Sequence, residues 1–288
     1  MMVTTDSIIL SSLVPASLAG TSFLSCTFWL IDPISDKQRQ LYHSFTQSLC
    51  PTITPQFHVV GASPDHLSAD IGASFNPEML HIVDARLIKY WPTDIPFLPC
   101  PIVVGIDFIE TKSKDHTGAA IVFFGPESTG KSTVSTQLAT AFKLPLVTEY
   151  VRLWFDIFGC DCNRQQAWTI LNVVHAFHQA ISKVHQGIWL ADTDALASLM
   201  WLEWYFGVQP TASLPANLVV DKFYLLCGDD IPFVPDHQRR YSDKREFDAA
   251  FAKSYLQKFN ADFEWIKGQG VDRLEMAKRY LETKLEPS

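Results

Sequence analysis

The sequence predicts an α/β fold in which helices cover both faces of a five-stranded parallel sheet, preceded by a smaller α/β or α+β region. Three observations predict it. From residue 119 onward, apolar runs of strand length alternate with stretches of helical periodicity. Between one such run and a helical stretch, Gly125-Pro126-Glu127-Ser128-Thr129-Gly130-Lys131-Ser132 fits G-x-x-x-x-G-K-[ST], the phosphate loop of P-loop NTPases. Upstream, the polar stretch ETKSKDHTG at 110–118 reads as a linker. The expected division is an N-terminal region over residues 1–116 and a P-loop domain over residues 117–288.

Within the P-loop domain, residues 119–124 form a continuous apolar run, as a strand buried on both faces requires. Residues 131–142 put Val134, Leu138, Ala141 and Phe142 on one helical face. Further strands are expected at 144–148, 187–191, 223–227 and 262–266, and further helices at 164–185, 195–206, 244–259 and 272–284. In the N-terminal region, the runs at 57–60, 80–83 and 102–109 are split by Pro, Gly and Asp and read as strands.

Composition narrows the function. The chain has 288 residues, 47% apolar and 19% charged, with a net charge of −8. Residues 1–118 hold 6 Lys and Arg against 11 Asp and Glu, and the remainder 17 against 20, so neither part carries the basic footprint of a nucleic-acid partner. The six cysteines, Cys26, Cys50, Cys100, Cys160, Cys162 and Cys227, include no C-x-x-C pair and are expected to be reduced thiols of a cytoplasmic protein. Residues 7–31 form a 25-residue run without charge. Ten of them are Ser, Thr, Gly or Pro, and no Lys or Arg precedes the run, so it is expected to give one or two buried strands rather than a membrane span or signal peptide. The sequence is silent on oligomeric state.

The chemistry gathers at the predicted C-terminal edge of the sheet. Gly130 lets the loop turn its amides towards phosphate oxygens, and the helix from Lys131 points its N-terminal dipole at the same anion. Lys131 would reach the β- and γ-phosphates, and Ser132 would ligate Mg²⁺. Asp192, at the end of a neighbouring strand, is the expected second metal ligand and the alternative to Glu149 as base. Thr193 or Asp194 would cap the next helix. Glu149 closes the second strand region and would accept a proton from an attacking hydroxyl, hold the acceptor's hydroxyls, or pair with Arg152 at helical spacing. Asp236, Arg239, Arg240 and Arg245 form an arginine-rich loop and helix start of the kind that can stabilise a transferring phosphoryl group. Tyr150, Trp154, Trp201, Trp204 and Tyr205 would either stack on a base or belong to the core.

Five blocks in order, GPESTGKST, TEYVR, ADTD, LLCGDDIPFVPDHQRRYSDKR and KGQGVDRLEMAKRYL, resemble the NadR-type nicotinamide riboside kinase domain, an AAA-like P-loop family, over about residues 119–285. The resemblance implies an adenylate-kinase-like fold. It also implies transfer of the ATP γ-phosphate to the 5′-hydroxyl of nicotinamide riboside, with Mg²⁺. On it, Gly125, Pro126, Glu127, Ser128, Thr129, Gly130, Lys131, Ser132 and Thr133 cradle the ATP phosphates. Glu149, Tyr150 and Arg152 match the acceptor-side block. Asp192 and Asp194 match the Walker-B-like block, with Asp194 counted among the acceptor's ligands. Asp236, Arg239 and Arg245 match the lid, and residues 268–273 resemble the loop that closes over adenine. Two departures stand out: Phe233 replaces the family's Trp, and D-G-L-R reads Asp236-His237-Gln238-Arg239. Bifunctional relatives carry H-x-G-H or T-x-G-H in a preceding nucleotidyltransferase domain, a tetrapeptide missing from residues 1–118, so no adenylyltransferase activity is expected.

The leading expectation is therefore an ATP- and Mg²⁺-dependent kinase with a small-molecule nucleoside acceptor, in which Lys131, Glu149, Asp192, Arg239 and Arg245 carry the reaction. Two alternatives stay open: a nucleotide-binding regulatory module without kinase activity, and a P-loop kinase for another nucleoside.

Overall fold

Apolar runs too long and too continuous for a half-exposed strand must be covered on both sides, and the strand at Ala120–Phe124 (β5) is an example: all five of its side chains are buried. The computed structural model describes residues 26–31, 40, 43–45, 55–60, 80–84, 102–104, 119–185, 187–208, 221–235, 238 and 245–285. The chain separates into two units, one of residues 1–105 with 156–184 and one of residues 106–155 with 185–288.

The first unit contains a parallel four-stranded sheet of β1 (Cys26–Ile31), β2 (Pro55–Val60), β3 (Leu80–Asp84) and β4 (Ile102–Val104), in the order β2-β1-β3-β4. The apolar runs of the N-terminal region thus build an α/β-type parallel sheet. Most of the uncharged run at 7–31 lies outside the described residues, as does the linker at 110–118. Helix α3 (Arg164–Val184) also belongs to this unit, where Phe177 stacks on Phe45 with ring centroids 4.1 Å apart.

The second unit is the five-stranded sheet that the sequence predicts. With β6 (Leu146–Val147), β7 (Trp189–Asp192), β8 (Lys222–Cys227) and β9 (Asp262–Ile266), its order is β6-β7-β5-β8-β9, every pair parallel. Helix α1 (Lys131–Phe142) and helix α6 (Val271–Leu285) pack on one another. Val134, Leu138 and Ala139 of α1 and Ala277 and Leu281 of α6 form one core with Ile121, Phe123, Leu225 and Cys227 of the sheet. The alternate residues Phe124 and Tyr224 meet edge-to-face, centroids 5.7 Å apart. Side chains of β9 alternate between exposed and covered, with Asp262 and Glu264 outward, which suits a sheet edge that must not recruit further strands.

Helix boundaries follow local chemistry. Lys143 ends α1 in a left-handed conformation, its N–H bonded to the Ala139 carbonyl. Asp194 caps helix α4 (Ala195–Phe206), and Gly207 closes it with φ 63°. Helix α2 (Tyr150–Phe158), which the strand–helix alternation did not single out, follows directly on Glu149, and helix α5 (Arg245–Lys258) precedes β9.

No helix among the described residues is long and apolar enough to cross a membrane. Cys227 is a buried free thiol.

Candidate active site

In an open parallel sheet, ligands bind beyond the carboxyl ends of the strands, where the crossovers leave in opposite directions. Here that point lies at the end of β5, flanked by β7 on one side and β8 on the other. Gly125, Asp192 and Gly228 follow or end these three strands, so one edge of the sheet brings the phosphate loop and the DTD block together.

The loop's shape is set by residues that tolerate unusual backbone angles. Gly125 has φ 130°, and a Cβ there would lie 2.7 Å from the Cys227 carbonyl oxygen. No side chain fits beside β8 at that approach. Ser128 has φ 55° and Gly130 φ 77°, so the chain changes hand repeatedly before α1 begins. Such alternation turns successive amides towards one concavity suited to an anion. Three side chains brace it. Thr129 Oγ1 donates to the Pro126 carbonyl at 2.9 Å. Lys131 Nζ, in a residue 8% exposed, donates to the carbonyls of Gly125 at 3.0 Å and Pro126 at 2.7 Å. Ser128 Oγ accepts from Val234 N at 2.8 Å, which ties the loop to the segment after β8. Thr133 is exposed on the first turn of α1.

Asp192 and Asp194 sit two residues apart in different surroundings. Thr193 between them has φ 71°, which breaks the strand's alternation. Asp192 is 4% exposed, and its Oδ1 has no hydrogen-bond partner. Burial, and next the charge of Glu149, push its carboxyl up to about 6; Lys131, a hydrogen bond from the Ser132 side chain and Arg152 pull in the opposite direction. A buried carboxylate oxygen without a donor, beside a hydroxyl and an ammonium, is chemically suited to a hard divalent cation. Ser132 and Asp192 therefore fit the Mg²⁺ that the loop implies.

Asp194 is engaged otherwise. Its Oδ1 accepts from the amides of Leu196 at 3.0 Å and Ala197 at 3.1 Å; its Oδ2 accepts from Lys222 Nζ at 2.7 Å and from the Tyr224 hydroxyl at 2.8 Å. It is fully buried. Four donors fill both oxygens, so the expected acceptor-side role of Asp194 gives way to that of a helix cap anchoring β8.

Glu149 lies two residues past β6, and its Oε2 accepts from Arg152 Nε at 2.8 Å. The ion pair expected at this spacing is thus formed, and it lies close enough to Asp192 for both charges to act on that carboxyl. Tyr150 opens α2, largely buried. Arg152 Nη1 also donates to Gln238 Oε1 at 3.3 Å, while Gln238 Nε2 donates to the Arg152 carbonyl at 3.2 Å. Asp236, Arg239 and Arg240 lie outside the described residues; Arg245 begins α5, and its side chain lies outside them too. The aromatics stack among themselves: Trp201 on Tyr205 at 5.6 Å, Trp204 tilted against Phe251 at 5.2 Å, with Trp154 buried.

Two further participants lie outside the phosphate loop and the DTD block. Arg273, 2% exposed on α6, donates through Nε to the Gly268 carbonyl at 2.9 Å, through Nη1 to the carbonyls of Thr129 at 2.5 Å and Gly228 at 3.2 Å, and through Nη2 to Asp230. Asp230 Oδ2 accepts from the Gly268 amide at 2.5 Å, completing a clamp between the phosphate loop and the 268–270 turn. Cys227 is the second. Burial pushes its thiol up to about 11, so it stays protonated, and its carbonyl oxygen is the atom that leaves no room for a Cβ at Gly125.

A family model described as an AAA domain matches residues 120–273, just over half of the chain. The chain belongs to the AAA domain family. The matched span of this AAA domain begins at β5 and ends at Arg273, so it includes every residue of the site described above. No curated protein matches the chain in sequence. Among solved structures, it is similar to a NadR protein in complex with NR, at 12% identity and a TM-score of 0.48, over 92% of this chain and 88% of that one. It is also similar to a NadR protein in complex with NAD and AMP-PNP, at 12% identity and 0.46, over 93% and 98%. A shikimate kinase from Acinetobacter baumannii in complex with shikimate gives 16% identity and 0.33, over 59% and 94%.

Proposed function

We propose that this AAA domain is an ATP- and Mg²⁺-dependent small-molecule kinase whose acceptor is a nucleoside, nicotinamide riboside being the first candidate. One observation carries the reading: the buried, unpartnered Asp192 Oδ1 stands in one electrostatic group with Lys131, Ser132, Glu149 and Arg152. A loop that only sequesters phosphate needs no second carboxylate and no arginine on its far side. A phosphoryl-transfer site has a use for both: beside the carboxylate that holds the cation, it needs charged groups that face the acceptor. The sequence block TEYVR, which resembles the acceptor-side block of nicotinamide riboside kinase domains, supports a nucleoside as that acceptor.

In this reading the loop amides and the N-terminus of α1 bind the β- and γ-phosphates, and Lys131 exchanges its carbonyl contacts for phosphate oxygens. Ser132 Oγ and Asp192 Oδ1 would hold Mg²⁺, which when bound offsets charge on the phosphate oxygens. Glu149, steadied by Arg152, takes the proton of the attacking hydroxyl as its oxygen bonds to the γ-phosphorus and the bond to ADP breaks. The transition state is loose, so alignment and charge compensation supply most of the acceleration.

The test is turnover by the purified chain with Mg²⁺-ATP and a nucleoside panel including nicotinamide riboside, followed as ADP release and as phosphorylated product. A 5′-mononucleotide is the expected product, abolished in Lys131→Met. ATP binding with no phosphorylated product from any nucleoside would overturn the kinase reading. Turnover with a different nucleoside alone would replace the acceptor.

A further inference from the structure

We infer that Gln238 is a positioning residue for the acceptor side of the site, holding the Arg152 guanidinium against Glu149. The inference rests on the kinase reading above and goes beyond it, because no recognised motif assigns a role to this position.

The geometry is a closed pair of hydrogen bonds across 86 residues. Gln238 Oε1 accepts from Arg152 Nη1 at 3.3 Å, and Gln238 Nε2 donates to the Arg152 carbonyl at 3.2 Å. One amide therefore grips the arginine at its head and at its backbone. Gln238 is 7% exposed, so these bonds form out of water, where losing them is costly. Arg152 in turn donates through Nε to Glu149 Oε2 at 2.8 Å, and it acts on Asp192. The guanidinium is a planar fork, so fixing one nitrogen fixes the direction of the others. Arg152 is about a third exposed at its side chain, and each anchor narrows the rotamers open to it. Gln238 supplies one anchor at the guanidinium and one at the backbone.

The chemistry of the residue matters as much as its place. A leucine or methionine here would fill similar space and offer Arg152 no acceptor. Glutamate would keep an acceptor for Nη1, now charged, and exchange the donor to the Arg152 carbonyl for a second acceptor oxygen. A packing role alone predicts that Met is tolerated better than Glu. A positioning role predicts the reverse order.

The experiment is steady-state kinetics of the full chain and of Gln238→Met and Gln238→Glu, with the nucleoside that the wild type phosphorylates best, beside melting temperatures. We expect Gln238→Met to raise the acceptor KM about 10-fold and to leave the ATP KM within about twofold, because the lost hydrogen bonds bear on Arg152 and not on the phosphate loop. Gln238→Glu should recover most of the affinity. Equal acceptor KM in Gln238→Met and the wild type would overturn the inference while leaving the kinase reading intact. So would a parallel rise in the KM of both substrates, or a Glu variant worse than Met. Absence of turnover by the wild type with every nucleoside would overturn the kinase reading and this inference with it.

Discussion

The Arg273 guanidinium donates to the Thr129 carbonyl at 2.5 Å, so the first turn of the last helix holds the main chain of the phosphate loop in place. The same group bonds Gly228, Gly268 and Asp230, and it is almost completely buried. Removing it leaves buried carbonyls without donors. Arg273→Met is expected to cost about 3 kcal/mol of stability in urea unfolding and to weaken ATP binding. Arg273→Lys should recover less than half of that loss, since an ammonium cannot span three carbonyls and a carboxylate in one plane. Full recovery by Lys would show that charge, not the fork, is what the clamp requires.

The approach of Gly125 to β8 gives a sharp contrast between two glycines. At Gly125 a methyl group would lie 2.7 Å from the Cys227 carbonyl oxygen, whereas a Cβ at Gly207, φ 63°, at the end of α4, meets nothing within 4 Å. Gly207→Ala should cost about 1 kcal/mol of backbone strain and leave ATP affinity unchanged. Gly125→Ala adds a clash with main chain that cannot rotate away and should lose ATP binding outright. Calorimetric titration of both variants checks the pair.

The raised carboxyl of Asp192 predicts a pH dependence with a definite sign. Burial is the main cause, and the group moves from 3.8 to about 6. Its proton is held more tightly in the folded state, so its contribution to stability is full below about pH 4 and is lost as pH rises to about 6, in total about 3 kcal/mol. In EDTA, the stability difference between wild type and Asp192→Asn should therefore change across pH 4–6.5 and be flat above, with Asn the more stable at neutral pH. Mg²⁺ competes with that proton, so Mg²⁺-dependent ATP affinity should fall as pH drops below about 6. A pH-independent difference between the two proteins would contradict the placement of Asp192 in this charge group.

Asp194 should behave in the opposite way. Truncation to Ala strips α4 of its cap and leaves Lys222, 8% exposed at its side chain, without its carboxylate. The expected cost is about 3–5 kcal/mol, the range for a broken buried ion pair. The fraction that folds should keep a kcat within about threefold of the wild type. Stability and kinetics of Asp194→Ala set against Asp192→Asn separate the two carboxylates.

What the sequence made legible, and what it did not, follows one physical division. The β5 run, the phosphate loop and the DTD block are local: spacing and turn chemistry declare them, and strands and helices of the second unit lie within a few residues of their expected bounds. The Glu149–Arg152 pair is also legible, because residues three apart at the start of a helix come face to face. The Arg273 clamp spans 144 residues to Thr129, and the Gln238 grip spans 86 to Arg152; no periodicity encodes either. The two Asp residues of DTD look equivalent as letters. Only the left-handed turn at Thr193 and the neighbours it selects distinguish them.

That turn has a consequence for variant libraries. If every position of this chain were substituted in a pooled screen and scored twice, once for protein abundance in cells and once for the reaction, positions 192 and 194 would separate on different axes. Substitutions at 194 would deplete the abundance score and drag the reaction score down with it. Substitutions at 192 would leave abundance intact, or raise it, and deplete the reaction alone. A single left-handed residue thus divides one tripeptide into a position maintained for folding and a position maintained for chemistry.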